Sequence, residues 1–450
     1  MSDLLSIGAS GVRAYGTALA AIGNNVSNAD TAGYTRRTVT LTENTSNDGV
    51  SALSAGNGQF GGVSTSDIGR AWNDYQAAAA RSSNSDAGAA DARATWLGNA
   101  ETALDDGTTG VGQSATAIFT TGDTLAADAG STSSRNAFLS AIGQTTSALN
   151  TTAAALAQTS SGIASAAQTT VQTVNADLDQ LDKINTALST QASGTTAQAD
   201  LLDQRDSILD DISGNVGISV TLAGNGAATV TLANSDVQLT GGINGSGTGA
   251  RLTLDAGANG TLSVQAVSVG KAQAVGDTSG TLGGLVSSAQ TVADRRTSLD
   301  KMASDFASAL NAWNAAGTTA AGAAGGALVT GTTAATIKVA TSDPTAIAAA
   351  SSAGTNGNLL NLSTLRGSTG IEQSWSGMVT DQGQVVASAN TAQTAADATK
   401  SAAFSARDQT SGVDLDTEAA ELLRYQQAYS GAAKVIQTAK DTMQSILDLF

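Results

Sequence analysis

The residues best suited to chemistry lie in one stretch, Leu201-Leu202-Asp203-Gln204-Arg205-Asp206-Ser207-Ile208-Leu209-Asp210-Asp211-Ile212. Asp203, Asp206, Asp210 and Asp211 surround Arg205, and carboxylate oxygens are the hard ligands that divalent cations take. The spacing does not build a calcium loop, because no glycine makes its sharp turn and no glutamate closes it. On a helix, Asp206 and Asp210 stand one turn apart on one face, as in a solvated surface. The expectation is structural: Leu201, Leu202, Ile208, Leu209 and Ile212 pack inward while the charges face water or a neighbouring chain.

Other chemistries fit less well. Gly224-Asn225-Gly226, Gly241-Gly242 and Gly322–Gly326 are glycine-rich. None is followed by the Lys-Ser/Thr that a phosphate loop needs at the head of a helix, so they read as turns. Paired carboxylates hydrolyse glycosides, but with 38 acids in the chain no two stand out. Arg36-Arg37 is too short for a nucleic-acid patch and is expected to make subunit contacts. The chain has neither Cys nor His, which removes disulfides, thiolate nucleophiles and every imidazole-based triad or metal site. No catalytic, cofactor-binding or metal residue is assigned, and an enzyme is not expected.

Charge points the same way. Lys and Arg number 21 against 38 acids across 450 residues, a formal charge of −17, unsuited to phosphate backbones. Hydrophobic residues make up 41% of the chain but aromatics only 3%, and Pro344 is the single proline. Such an Ala-rich chain favours long helices in close contact. No run of 18 apolar residues is present, so no membrane span is expected. Ala18-Leu19-Ala20 resembles a cleavage site, but Asp3, Arg13 and Tyr15 break the pattern of a cleaved signal.

The elements that must position these residues begin at the two ends. Leu5, Val12, Leu19 and Val26 lie seven apart, with Tyr15 and Ile22 between them, a heptad seam interrupted by Gly8. At the other end Leu422, Tyr429, Ile436, Met443 and Phe450 repeat the spacing, with Tyr425, Ala432, Ala439 and Ile446 at the intervening positions. The two helices are expected to pair as a coiled coil. Paired alone, they would leave apolar surface on their outer sides, which marks an interaction face.

Between them, helix is expected over 71–105 with a break near Ser82–Ser85, from Ser134 to about Ala167, and from near Gln168 through Val171, Val174, Leu178, Leu181, Ile184 and Leu188. The period changes to two after Gly217 and continues to about Ala274, which reads as a small antiparallel β domain. Helix returns over 285–313 and again from about Ile371 to Asp408, with a possible strand at Thr336–Ala340. The fold class is mainly α with a β module. Its expected parts are a terminal coiled coil (1–40 and 412–450), a helical rod (41–215 and 285–411) and a β domain (216–284) at the far pole. The place of 317–370 is left open.

This plan resembles the axial proteins of the bacterial flagellum. Asn24-Asn25-Val26-Ser27-Asn28-Ala29-Asp30-Thr31-Ala32-Gly33-Tyr34 is similar to that family's N-terminal signature, with Ala32 where the family has proline. Ser411 to Ala420, Tyr425 to Tyr429 and Val435 to Ala439 resemble its shared C-terminal segment. Leu201–Ile212, together with Gly280–Leu285 and Leu299–Trp313, is similar to the hook-associated members. The resemblance implies a structural subunit at the junction of hook and filament, exported by a type III apparatus and located outside the cell. Its implied partners are identical subunits in a tubular ring, hook protein, a further hook-associated protein or flagellin, and an export chaperone. A hook or rod subunit, a flagellin, and an adhesin or scaffold module stand as alternatives.

Overall fold

The first helix of the computed structural model, α1 (Ser2–Ser27), is followed by strands β1 (Arg37–Thr45) and β2 (Phe60–Arg70) and by helices α2 (Asp74–Ala103), α3 (Val111–Ala127), α4 (Thr132–Thr190) and α5 (Thr196–Asn215). Strands β3 (Ile218–Leu222), β4 (Ala228–Leu232), β5 (Arg251–Ala256), β6 (Leu262–Ser268) and β7 (Lys271–Ala274) come next. Helix α6 (Gly280–Ala316), the short strands β8 (Val329–Thr330) and β9 (Lys338–Val339), and helices α7 (Gly357–Leu360), α8 (Ile371–Ser411) and α9 (Leu415–Leu447) complete the order. The structure describes residues 2–31, 33–45, 60–241, 249–268, 270–276 and 278–448.

The chain divides into two units. One comprises Met1–Asn84, Asn175–Arg251 and Ala398–Phe450; the other comprises Ser85–Val174 and Leu252–Asp397. In the first, α1 packs along α9 and across the β1–β2 hairpin. Gly62 of β2 has φ +81°, and a side chain there would run into Ser10 and the Ile7 backbone. Only glycine combines that conformation with so close an approach. The Val63 N–H then donates to Ser10 Oγ at 3.1 Å, tying hairpin to helix.

This hairpin lies before the helix expected from residue 71, in a stretch for which no element was expected and most of which falls within the expected helical rod. Its register pairs Val39 with Ile68 and Glu43 with Val63, and the alternation of Thr38-Val39-Thr40-Leu41-Thr42 is the signal that identifies it. The expected break at Ser82–Ser85 is absent, and α2 is continuous. Ser83 Oγ donates back to Ala79 O at 2.6 Å, while Asn84 Nδ2 donates to Asp210 O and Ser213 Oγ of α5. Ser83 is satisfied within its own helix and Asn84 by a neighbouring one, so neither needs a turn.

Helix α4 joins two expected helices into one of 59 residues. Phe138, Ile142, Leu149, Leu156, Ile163, Ala167, Val171, Val174, Leu178 and Leu181 are buried, an apolar stripe that passes the expected join near Gln168 without a change of period. The alternating segment after Gly217 forms small antiparallel sheets, β3–β4 in the first unit and β5–β6–β7, from Leu252 onward, in the second.

The second unit is built on α3, α6 and parts of α2, α4 and α8. Its core includes Leu97, Leu104, Ile118, Phe138 and Leu310, with the Phe138 and Trp313 rings 5.8 Å apart. Residues 317–370 belong here, held to the end of α6 by three asparagines. Asn311 Oδ1 accepts from Leu328 N and Val329 N. Asn314 bridges Gly326 O, Ala346 O and Ala348 N, and Asn358 Nδ2 donates to Trp313 O and Ala348 O. Among the described residues no helix is long and apolar enough to cross a membrane.

Candidate assembly interface

The two heptad helices meet through small residues. Gly8, Gly11, Ala14, Ala18, Ala21, Ile22 and Asn25 form the buried stripe of α1. A Cβ on Gly8 would stand 2.5 Å from Ile436 Cγ1 and 3.3 Å from Ala432 O, and one on Gly11 would stand 3.0 Å from Ala432 Cβ. Gly8 therefore makes the seam, where the sequence pattern treated it as an interruption. Tyr15 and Tyr425 lie beside one another, ring centroids 6.3 Å apart and tilted by 42°.

The larger heptad residues flank this contact. Leu5, Val12, Tyr15, Leu19, Leu422, Tyr425 and Ile436 are half-buried, and Ile22 is buried. Val26, Tyr429, Met443 and Ile446 are exposed. Phe450 and Ala32 lie outside the described residues. Eleven large apolar side chains are exposed among the described residues, and nine belong to these helices: Leu4 and Val26 on α1, and Leu415, Leu423, Tyr429, Val435, Met443, Ile446 and Leu447 on α9. The pairing leaves large apolar side chains of α9 bare, Met443, Ile446 and Leu447 among them in its last turns.

The Asn24–Tyr34 segment fastens the base of this pair. Asn28 Nδ2 donates to Asn24 O at 2.9 Å and closes the end of α1; Thr31 Oγ1 donates to Asn28 Oδ1. Gly33 turns the chain at φ +78°. Asn25, fully buried, uses its whole amide. Its Oδ1 accepts from Tyr34 Oη at 2.9 Å and from Arg37 N at 2.8 Å. Its Nδ2 donates to Arg37 O at 2.9 Å and to Glu418 Oε2 at 3.0 Å. Glu418 lies in the first turn of α9, where Asp414 caps the helix by accepting from Asp416 N and Thr417 N. Burial raises the Tyr34 hydroxyl pKa against the opposing pull of Arg37, which keeps it a donor.

The acids of α5 require a correction. They were expected to face water or a neighbour, but they form a buried ionic cluster within the first unit. Arg37 Nη2 bonds Asp203 Oδ2 at 2.5 Å and Asp200 Oδ1 at 2.9 Å. Arg70 bonds Asp203 at 2.8 Å and Asp206 at 2.7 Å. Arg81 reaches Asp206 at 3.0 Å and Asp210 at 3.1 Å, and Arg407 reaches Asp210 at 2.5 Å. Arg205, 2% exposed, bonds Asp206 and donates to Gly226 O. Asp211 alone of the four acids first singled out is an exposed residue. Of Arg36-Arg37, the expectation of subunit contacts is corrected for Arg37 alone, which is buried inside its own chain.

A helix face read in isolation looks solvated; the hairpin, α2 and α8 bring the arginines that bury it. Burial raises the carboxyl pKa of Asp203 and Asp210 against the pull of those arginines, and it lowers that of the Arg205 guanidinium. Every carboxylate in the cluster is occupied by arginine, so its chemistry is that of a clamp rather than of a metal site. Arg70, Arg81 and Arg407 carried no sequence motif. Only their sign, opposite that of Asp203, Asp206 and Asp210, connects them.

Comparisons with known proteins bear on this arrangement. Residues 97–329 match the family described as "Flagellar hook-associated protein FlgK helical domain", and residues 406–449 match "Flagellar basal body rod FlgEFG protein C-terminal". The chain is 25% identical over 237 residues to flagellar hook-associated protein 1 of Salmonella typhimurium, covering 52% of this chain and 42% of that protein. It is 24% identical over the same length to the protein of that name from Escherichia coli. Its fold is similar to that of the flagellar hook junction protein FlgK from Burkholderia pseudomallei, with a TM-score of 0.50 and 22% identity over 56% of this chain and 46% of that one. The matched region thus spans less than half the length of these relatives.

Proposed function

The chain belongs to the family of the flagellar hook-associated protein FlgK, and on that premise we propose that it is a structural subunit of the junction between flagellar hook and filament. Its work is assembly and not turnover. The observation that carries this reading is the placement on α1 and α9 of nine of the eleven large apolar side chains exposed among the described residues. Each such side chain gains roughly 1.5–3 kcal/mol when fully buried, and neighbouring copies in a tubular ring supply the cover. Leu5, Val12, Tyr15, Leu19, Ile22, Val26, Leu422, Tyr425, Tyr429, Ile436, Met443, Ile446 and Phe450 are the interface proposed.

In this reading residues 1–40 and 412–450 act as the coiled-coil part, 41–215 and 285–411 as the helical part and 216–284 as the β part. Hook protein lies on one side of the ring and a further hook-associated protein or flagellin on the other. The subunit reaches that place, outside the cell, through the flagellar type III export apparatus with the help of a chaperone. Labelling the protein and viewing isolated hook–filament junctions by electron microscopy tests the proposal. Label confined to a band between hook and filament is expected; label along the whole filament, or along the hook, would replace this reading with that of a flagellin or hook subunit.

A further inference from the structure

We propose that the outward edge of β3 docks a second copy of this chain, which contributes its own edge strand β7. The inference rests on the assembly reading above and adds a lateral contact to it. Strand β3 reads Ile-Ser-Val-Thr-Leu, with no charge and no proline, and pairs with β4 in unbroken register from Ile218↔Leu232 to Leu222↔Ala228. The bonds Ala233 N to Gly217 O (2.9 Å) and Ala223 N to Ala227 O (2.8 Å) turn the amides of odd-numbered residues toward β4. The N–H and C=O groups of Ile218, Val220 and Leu222 therefore point outward. Among the described residues no strand pairs with that edge. Proteins commonly blunt such an edge with lysine, proline or a bulge, and β3 has none of these. By contrast β1 carries Arg37 and Glu43 and two register shifts.

A groove of about 390 Å³ runs along all five residues of β3, walled by Asp74, Ala78 and Arg81 of α2. Arg81 is neutralised by Asp206 and Asp210, so Asp74 gives the groove a negative character. Strand β7, Lys-Ala-Gln-Ala, is exposed at every residue and lies at the edge of its sheet. The bond Val275 N to Val264 O turns its odd-numbered amides inward, leaving those of Ala272 and Ala274 outward, two residues apart like those of Val220 and Leu222. Lys271 supplies the charge that matches Asp74. Two unlike edges on one chain join head to tail, the relation that builds rings and tubes from identical subunits, and main-chain bonds of this kind give affinity without any special side chain.

The cysteine-free chain makes the test direct. Full-length Thr221→Cys protein mixed with full-length Gln273→Cys protein is treated with a short bis-maleimide, and the mixed cross-linked dimer is measured on a denaturing gel. A dimer absent from either protein alone is expected. Adding Val220→Pro to the Thr221→Cys chain removes an outward N–H and no hydrogen bond to β4, and Ser219→Lys places a charge on the exposed side. Each is expected to cut the mixed dimer about tenfold while circular dichroism is unchanged. No mixed dimer above the single-protein background, or a dimer indifferent to both second changes, overturns the proposal. Oligomers measured by sedimentation in the same samples separate the two readings. If they persist without the cross-link, terminal-helix assembly survives and the β3 edge fails. If Met443→Asp leaves the cross-link but also leaves all oligomers intact, the terminal-helix reading fails alone.

Discussion

Asn25 Nδ2 donates to Glu418 Oε2 at 3.0 Å across a sequence separation of 393 residues. Both side chains are buried, and Asn25 also binds both backbone groups of Arg37 and the Tyr34 hydroxyl. Since Arg37 holds Asp200 and Asp203, the last turn of α1, the first turn of α9, the head of the hairpin and α5 are joined in one polar network. A buried network is stabilising when every member is satisfied and costly when one is lost.

Replacing Asn25 with Ala is therefore expected to destabilise the chain by more than a surface change would, at about 1–3 kcal/mol for each buried group left without a partner. Glu418→Gln, which keeps an acceptor, is expected to cost less than Glu418→Ala. Urea midpoints followed by circular dichroism measure this. A double-mutant cycle should give less than additive losses for Asn25→Ala with Glu418→Ala; strictly additive losses would show that the two act independently.

Gly8 tests the closeness of the terminal pair. A side chain there meets Ile436 Cγ1, so Gly8→Val is expected to cost about 1–3 kcal/mol through overpacking. Ile436→Ala in the same chain opens room and should recover much of that loss. If Gly8→Val is neutral and Ile436→Ala brings no relief, the helices do not approach as described.

How much of this could be read beforehand differs by element. The helix stripe of α4 was legible because burial there follows a single local period, whereas on α9 only Glu418 and Ala439 are buried and the heptad residues Tyr429, Met443 and Ile446 are exposed. Gly8 was misjudged because a pattern of large residues does not reveal where two backbones touch through small ones. The role of Asp203, Asp206 and Asp210 was hidden for another reason. Their arginine partners Arg37, Arg70, Arg81 and Arg407 come from 37 to 407 in the sequence, and only the tertiary fold decides whether a charged face is solvated or clamped. The Asn25 network lies between these cases. Its residues were singled out by resemblance, but the reason for an amide at that place, four simultaneous hydrogen bonds, needed the structure.

Acid titration separates two kinds of carboxylate. Burial, opposed by Arg81 and Arg407, raises the pKa of Asp210 above its ordinary value. The folded chain thus holds that proton more tightly than the unfolded one, and the linked stability is fully present below about pH 3.9 and lost as pH rises through the folded value. Glu372 is the reverse. Hydrogen bonding from Arg366 lowers its pKa, so its contribution is present above about pH 4.3 and lost as pH falls through the folded value. Melting temperatures of the parent protein, Asp210→Asn and Glu372→Gln between pH 3 and 7 check this. The difference between parent and Asp210→Asn should shift against the parent as pH rises, and that between parent and Glu372→Gln should shift in its favour. Two differences moving in the same direction would contradict the assignment.

Met443 offers the cleanest separation of folding from assembly. It is a heptad residue of α9, yet 39% exposed, so its seam position is not filled by α1. Met443→Asp places a charge where, in the monomer, water already reaches; its effect on the unfolding midpoint is expected to stay within about 0.5 kcal/mol, the range of ordinary surface substitutions. In an assembled lattice the same carboxylate is taken out of water without a partner, at a cost of several kcal/mol. Cells carrying this variant as their sole copy should export the protein but lose swimming on soft agar, with hooks that bear no filament in electron micrographs. Normal swimming with the variant present at the junction would mean that this side of α9 faces solvent in the assembly, and the covering neighbour would have to be sought on another face.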